Sequence, residues 1–420
     1  MKKVKVRYGP SPTGIPHIGN IRTALFNFLL AKNTGGQFYL RIEDTDQARI
    51  VPGAVEKIQE SLKLLNLGWD GEIIFQSKRL DTYKEHLNIL KDKGFAYEDE
   101  GAWRFKIQTQ QKAVSWQDVV HGPVSFPTNV LEDFVIIKSD GFPTYHFASV
   151  VDDHLMEISH VLRGDEWISS TPKHIQLYDA LGWNAPKFAH LPPILGPDHK
   201  KLSKRDGAKS VMEYIDEGYL PEAIVNFMVL LGWSPKSNQE IFTLEELVKE
   251  FSLDRINKNS PIFNVEKLNW FNGQWIRKMP DADLAKKIST QNPSFDQKLI
   301  SKVLPITKDR LNKITDFPQI AQFFFKEPDI KSHAKDISIP KSIFEDIISA
   351  LESQKLWTEE NISKAVVEIM EKENLTKAQV YRSIGIALSG ELVTPPIFSS
   401  IEILGKSQTT ERLKSALKLL

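Results

Sequence analysis

The chain contains no cysteine. That excludes disulfides and any zinc or iron–sulfur site ligated by cysteine, and it fits a reducing compartment. Nor is either sign of charge in excess: 54 Lys and Arg stand against 54 Asp and Glu. A strongly basic chain would have pointed to nucleic acid, whereas a balanced one leaves room only for a local basic groove. No apolar run is long enough to span a bilayer, and Met1 leads directly into the charged KKVKVRY, which is not a secretory signal pattern. A cytoplasmic protein with no membrane association is therefore expected. Internal repeats and low-complexity tracts are lacking. So are the G-x-G-x-x-G and Walker A loops, and no clear Ser–His–Asp or Cys–His constellation is visible. What remains is a 420-residue chain, 41% hydrophobic and 26% charged, long enough to form several globular domains.

Residues 3–8 alternate basic and apolar and read as a strand ending at Tyr8. The Gly/Pro-rich stretch from Gly9 to Pro16 can be neither helix nor strand. From His17, the residues Ile18, Ile21, Ala24, Leu25, Phe28 and Leu29 recur at helical spacing until Gly35–Gly36, and 37–42 reads as a second strand. Strand, helix, strand at this length is a βαβ unit with parallel strands. Helices follow over 52–67, with Pro52 in the first turn, and over 79–93. Between about 94 and 142, short β-type runs at 103–107 and 133–138, with Ser139–Asp140–Gly141 between strands, predict an inserted α+β module. The βα alternation then returns with 145–151, 158–162, a helix over 171–181, and 190–195. Beyond Leu202 the periodicity is helical, at 221–231, 243–251 and 265–272. From about 280 onward, amphipathic helices are joined by Pro-bearing turns such as Phe317–Pro318 and Thr394–Pro395–Pro396. Such an appendage suits recognition better than catalysis.

Two segments carry chemistry. In PSPTGIPHIGN (10–20), Gly9 and Gly14 allow close backbone approach to a ligand, while Pro10, Pro12 and Pro16 stiffen the loop. The helix starting near His17 offers free N–H groups to a phosphate, and His17 itself can donate to a phosphoryl oxygen. Ligands of open α/β sheets sit beyond the carboxyl ends of the strands, where this loop lies. In KLSKR (201–205), Lys201, Lys204 and Arg205 place three cations within five residues, suited to the charge that develops on a leaving pyrophosphate. Either segment alone reads as readily as a surface loop; together, in this order on an α/β frame, they read as one split catalytic apparatus.

These two segments resemble the signature sequences of class I aminoacyl-tRNA synthetases. RIEDTD (41–46), VPGA (51–54), the run 143–167 that ends in HVLRGDEW, STPKHIQLYDALGW (170–183), PEAIVNFMVLLGW (221–233) and NVEKLNWFNGQWIR (264–277) look like the glutamyl-tRNA synthetases. The resemblance covers essentially the whole chain and thins after about residue 280. It implies an ATP- and Mg²⁺-dependent enzyme that converts L-glutamate to glutamyl-adenylate and passes it to the terminal adenosine of tRNA(Glu). Whether tRNA(Gln) is charged too stays open. Implied with it is a Rossmann-type parallel sheet (1–83 and 144–210), an acceptor-binding insert (84–143), a stem-contact domain (211–280) and an all-α anticodon-binding region (281–420), in a monomer.

By resemblance, His17, Lys201 and Lys204 are catalytic, and Pro10, Gly19, Asn20, Glu166, Trp167, Ser203 and Arg205 join them around ATP. Arg7 reads the side-chain carboxylate of glutamate with Tyr145, Arg163 is the other substrate arginine, and Glu43 with Ser11 holds the α-ammonium. Ser149 stands in the pocket wall, where some relatives have Asn. Asn20 replaces a histidine, Gln47 replaces an arginine after DTD, and the insert is short. Relatives that bind zinc there do so through cysteines, so no zinc is expected here. Thr394, Pro395 and Ile397 are candidates for anticodon bases. Gly385 stands where relatives commonly place an arginine, with Arg382 one turn away as its substitute. Length argues against a small nucleotidylyltransferase, the intact signatures against a non-catalytic RNA-binding paralogue, and RIEDTD with PSPTG against a glutaminyl enzyme.

Overall fold

The computed structural model describes residues 3–203 and 206–420. Two compact units emerge: residues 1–216 with 220–271, and residues 217–219 with 272–420.

The first unit is built on parallel strands. β1 (Lys5–Tyr8) pairs with β2 (Gln37–Ile42), Lys5 opposite Gln37 and Tyr8 opposite Leu40, and β2 pairs in turn with the short β3 (Ile74–Phe75). The crossover helix α1 (Ile18–Asn33) is buried on almost every face, which explains its run of apolar residues; α2 (Ala54–Leu64) completes the second crossover. On the other side of β1, the Ser159 N–H donates to the Lys5 carbonyl and brings β9 alongside. The strand order is thus β3-β2-β1-β9-β10. The direction of chain progress reverses between β1 and β9, and the carboxyl ends flanking that reversal form the crevice expected to bind ligands.

Between β3 and β9 lies the insert. Helix α3 (Leu80–Asp92) leads into the antiparallel sheet β4 (Ala96–Asp99), β5 (Ala102–Phe105) and β8 (Phe134–Ile137), while β6 (Ala113–Asp118) and β7 (Gly122–Pro127) form a separate hairpin. Tyr83, Leu87, Phe105, Phe134 and Ile136 pack in one core with Phe147, Val150, Leu177 and Phe188, so the insert is continuous with the catalytic frame. The strand expected at 145–151 is instead the start of helix α4 (Tyr145–Leu155): Phe147, Ala148, Val150 and Val151 fall at one-, three- and four-residue spacing and bury one helical face. α4 leads to β9 (His160–Gly164), α5 (Thr171–Leu181) and β10 (Lys187–Leu191), and β9 and β10 pair in parallel. β10 ends before the expected 195 because Pro192 and Pro193 have no N–H to continue the ladder.

Helices α6 (Val211–Asp216), α7 (Pro221–Leu230) and α8 (Leu244–Glu250) close the first unit. α8 begins with a capping box between Thr243 and Glu246. The division between units falls within α9 (Val265–Lys278), which outruns the predicted 265–272.

The second unit is helical: α10 (Asp281–Gln291), α11 (Gln297–Thr307), α12 (Phe317–Ala321), α13 (Lys341–Ser353), α14 (Glu359–Lys372), α15 (Lys377–Ser389), α16 (Ile397–Leu404) and α17 (Lys406–Leu417). Pro318 sits in the first turn of α12 rather than in a linking turn, and Pro396 caps α16. At the centre, Arg412 donates Nη1 to the carbonyls of Phe323 and Leu388 at 2.8 and 2.9 Å and Nη2 to that of Lys326 at 3.2 Å.

Candidate active site

The carboxyl ends of β1, β2 and β9, the 9–16 loop and the start of α4 enclose a cavity of about 840 Å³. Arg7, Pro10, Ser11, His17, Asn20, Glu43, Tyr145, Arg163, Glu166 and Trp167, singled out from the sequence, all line it. Gly19, Ser149, Lys201 and Ser203 are not among its lining residues; Lys204 and Arg205 lie outside the described residues. Arg382, Thr394, Pro395 and Ile397 belong to the second unit.

Beneath the cavity floor four charges form a closed set. Arg7 donates Nε and Nη2 to the two oxygens of Asp153, at 2.9 and 3.2 Å. Arg41 donates Nη1 to the same Asp153 at 2.6 Å and Nη2 to Glu43 Oε1 at 2.8 Å. All four side chains are buried, and two guanidiniums balance two carboxylates. Burial would raise the Asp153 pKa, but Arg41 and Arg7 together hold it below the usual carboxylate range. Burial raises the Glu43 pKa despite the same two cations. Among the described residues, Arg7 Nη1 and Glu43 Oε2 have no hydrogen-bond partner, and both residues line the cavity. Gly9 makes room for this arrangement: a Cβ there would stand 2.4 Å from Glu43 Oε1. Neither Asp153 nor Arg41 was legible as part of the site. The sequence signal was an adjacent acid pair, Asp152–Asp153, within an apolar helix, where a charge stays only if partnered.

Arg163, on β9, is held differently. It donates Nε to His190 Nε2 at 3.1 Å, Nη1 to Tyr145 Oη at 3.2 Å and to His174 Nδ1 at 3.3 Å, and Nη2 to Thr171 Oγ1 at 2.8 Å and the Trp167 carbonyl at 3.4 Å. Every one of these acceptors is uncharged, since burial lowers the pKa of both histidines. Among the described residues no carboxylate pairs with it directly. The Tyr145 and Trp167 rings pack at 4.2 Å across the mouth of this site.

His17 is the N-cap of α1. Its Nδ1 accepts from the Gly19 N–H at 3.0 Å, so the neutral ring carries its proton on Nε2. Burial and the nearby Lys201 keep its pKa below the ordinary value, against the pull of Glu166. A neutral donor thus stands at the positive end of α1, where a phosphate would bind. Ser203 and Lys201 are exposed, with Lys201 in an isolated bridge to Leu195. Ser149 is fully buried and its hydroxyl has no partner among the described residues. No three His, Asp or Glu side chains gather as metal ligands among the described residues.

Comparison with known proteins accounts for the whole chain. The family model described as class I tRNA synthetases (E and Q), catalytic domain, matches residues 3–103 and 99–270, and an anticodon binding domain model matches 268–417. A glutamate–tRNA ligase of Dehalococcoides mccartyi is 39% identical, with 99% of this chain and 98% of that protein covered; one of Flavobacterium johnsoniae is 38% identical, with both chains covered completely. The crystal structure of a glutamate tRNA ligase from Elizabethkingia meningosepticum in complex with its amino acid superposes with a TM-score of 0.89 at 33% identity, covering all of both chains.

Proposed function

The chain belongs to the family of class I tRNA synthetases for glutamate and glutamine, and from that membership we propose that it is a glutamate–tRNA ligase. In the first step a carboxylate oxygen of glutamate attacks the α-phosphorus of ATP, forming the mixed anhydride and releasing pyrophosphate. In the second, the 2′-hydroxyl of the tRNA terminal adenosine attacks the activated carbonyl and AMP leaves. Neither step needs a side-chain nucleophile, so positioning and charge stabilisation carry the catalysis. Mg²⁺ would arrive on the ATP phosphates.

The observation that carries the choice of amino acid is the charge balance of the cavity wall. The Arg7–Asp153–Arg41–Glu43 set is internally neutral, whereas the partners of Arg163 among the described residues are all uncharged groups. Glutamate at neutral pH is a net anion and supplies the missing charge; glutamine is neutral and leaves Arg163 buried without it. In this reading Arg7 Nη1 and Tyr145 meet the side-chain carboxylate, Arg163 is the second substrate cation, and Glu43 Oε2 with Ser11 receives the α-ammonium. His17, through Nε2–H, and Lys201, Lys204 and Arg205 stabilise the phosphates. Pro10, Gly19, Asn20, Glu166, Trp167 and Ser203 border the nucleotide, and Ser149 shapes the wall behind Tyr145.

The second unit takes the anticodon, with Arg382, Thr394, Pro395 and Ile397 as contacts. Thr394 packs against Gly385, and an added Cβ would stand 3.0 Å from its hydroxyl, so a side chain at 385 would require Thr394 to give by a few tenths of an ångström. That arrangement supports a selection of tRNA(Glu) that does not depend on an arginine at 385; whether tRNA(Gln) is charged too is what the aminoacylation test decides. The enzyme acts as a cytoplasmic monomer without zinc, in keeping with the absence of cysteine. Aminoacylation of purified tRNA(Glu) and tRNA(Gln) with labelled glutamate tests the assignment; charging of neither, with ATP and Mg²⁺ present, overturns it.

A further inference from the structure

The inserted hairpin reaches Arg163 through a single histidine. Asp118, the last residue of β6, is fully buried. Its Oδ1 accepts the backbone N–H groups of Val120 and His121 at 3.0 and 3.1 Å and, more distantly, that of His190 at 3.4 Å. Its Oδ2 lies 2.5 Å from His190 Nδ1. A carboxylate can only accept, so His190 carries its proton on Nδ1 and presents a bare Nε2 to the Arg163 Nε–H. Burial would raise the Asp118 pKa, but the bond from His190 and the backbone donors pull it down, which keeps the acceptor ionised.

We propose that Asp118 is a positioning residue for the amino-acid pocket: it fixes the His190 tautomer and thereby the orientation in which Arg163 meets the substrate. The proposal rests on the reading of Arg163 as a substrate arginine. The requirement is strict because the opposite tautomer would aim Nε2–H at the Arg163 Nε–H, donor against donor, and swing the guanidinium away. His174 reinforces the same geometry. Its Nδ1 accepts from Arg163 and its Nε2 faces His146 Nδ1 at 3.0 Å. Among the described residues no acid stands behind it, so of these two histidines His190 is the one whose tautomer a carboxylate sets. A second stitch, from His121 Nε2 to Asp165 Oδ1 at 2.9 Å, ties the same hairpin turn to the segment after β9. Groups on the insert thus set the substrate arginine from a module that contributes no side chain to the cavity lining below residue 138.

Asp118→Asn is the informative substitution. Its oxygen can still receive the three backbone N–H groups, which locks the new NH₂ toward His190 Nδ1 and forces the wrong tautomer. In the full-length enzyme with tRNA present, the KM for glutamate is expected to rise roughly 10- to 100-fold, by analogy with losing the partner that orients a metal-ligating histidine, with the KM values for ATP and tRNA unchanged. Selective ¹⁵N labelling of histidine should show His190 protonated on Nδ1 in the wild type and on Nε2 in the variant. An unchanged glutamate KM in Asp118→Asn, beside a loss of glutamate binding in Arg163→Ala, overturns the positioning role and leaves the reading of Arg163 standing. A parallel rise in all three KM values means a merely structural role and overturns it too, as does an Nε2-protonated His190 in the wild type, a measurement that needs no variant to fold. If Arg163→Ala binds glutamate normally, the reading of Arg163 fails, and the proposal with it.

Discussion

Arg7 and Asp153, 146 residues apart in the chain, form a two-point ion pair beneath the cavity floor, at 2.9 and 3.2 Å. The pair occupies Nε and Nη2 and leaves Nη1, which has no hydrogen-bond partner among the described residues, for the ligand. Arg7→Ala should therefore remove a substrate contact and a floor charge together. The expected cost is about 2–5 kcal/mol in glutamate-dependent turnover. Tryptophan fluorescence or calorimetric titration with glutamate checks it, and wild-type affinity in the variant would sink the role given to Arg7.

Asp153→Asn tests the floor itself. Arg7 and Arg41 would face each other with one carboxylate between them instead of two, all of it buried. Breaking a buried pair from one side typically costs about 3–5 kcal/mol. Urea unfolding should show the midpoint fall accordingly, and a stability within about 0.5 kcal/mol of wild type, as for an ordinary surface change, would contradict the closed four-charge set.

His17 serves two purposes that a single substitution separates. Asn is a good N-cap and can accept the Gly19 N–H, but it offers no donor where His17 Nε2–H stands. His17→Asn should keep the melting temperature while lowering kcat by roughly 2.7–4 kcal/mol of transition-state stabilisation, the worth of one positioned donor. Undiminished kcat in pyrophosphate exchange is the outcome that removes His17 from the phosphate site.

The frame and the pocket entrance were legible for a physical reason. The 10–17 loop, Arg7, Glu43 and Arg163 lie at strand ends, where chain order alone predicts a shared crevice, and all of them line one cavity. What the sequence hid is the supporting layer. Asp153 sits in the last turns of α4, just beyond the strand expected at 145–151, where no periodicity was read to say which way it faces. Asp118 lies on a hairpin with no strong turn signature, 72 residues from its partner His190. His190 and Thr171 look like ordinary core and cap residues until Arg163 is placed between them. Long-range partners of this kind leave no periodicity to read. For Lys204 and Arg205, outside the described residues, only the motif speaks.

The histidines around Arg163 make stability depend on pH. Burial lowers the pKa of His174 and His190, and that of His146 to about 4. In the unfolded chain each returns to about 6.5. Between those values the unfolded state binds protons that the folded state refuses, so stability falls as pH drops below about 6.5 and the loss from His146 levels off near 4. Melting curves from pH 7.5 to 5 should show this decline, and His146→Gln should flatten part of it. A melting temperature independent of pH over that interval would show that these rings are not held neutral.

Arg412 gives the corresponding test in the second unit. Its guanidinium is buried and donates to the carbonyls of Phe323 and Lys326, in one stretch of chain, and of Leu388, in another. Arg412→Leu fills most of the volume but leaves those acceptors unpaired, at about 1–3 kcal/mol for each one that water cannot reach. Arg412→Lys keeps the charge, yet a single ammonium cannot reproduce the planar fork that spans all three. Both variants should be destabilised, Leu more than Lys, in chemical denaturation of the intact chain. Equal stability of the lysine variant and the wild type would mean that charge alone holds these segments, and that the fork geometry contributes nothing.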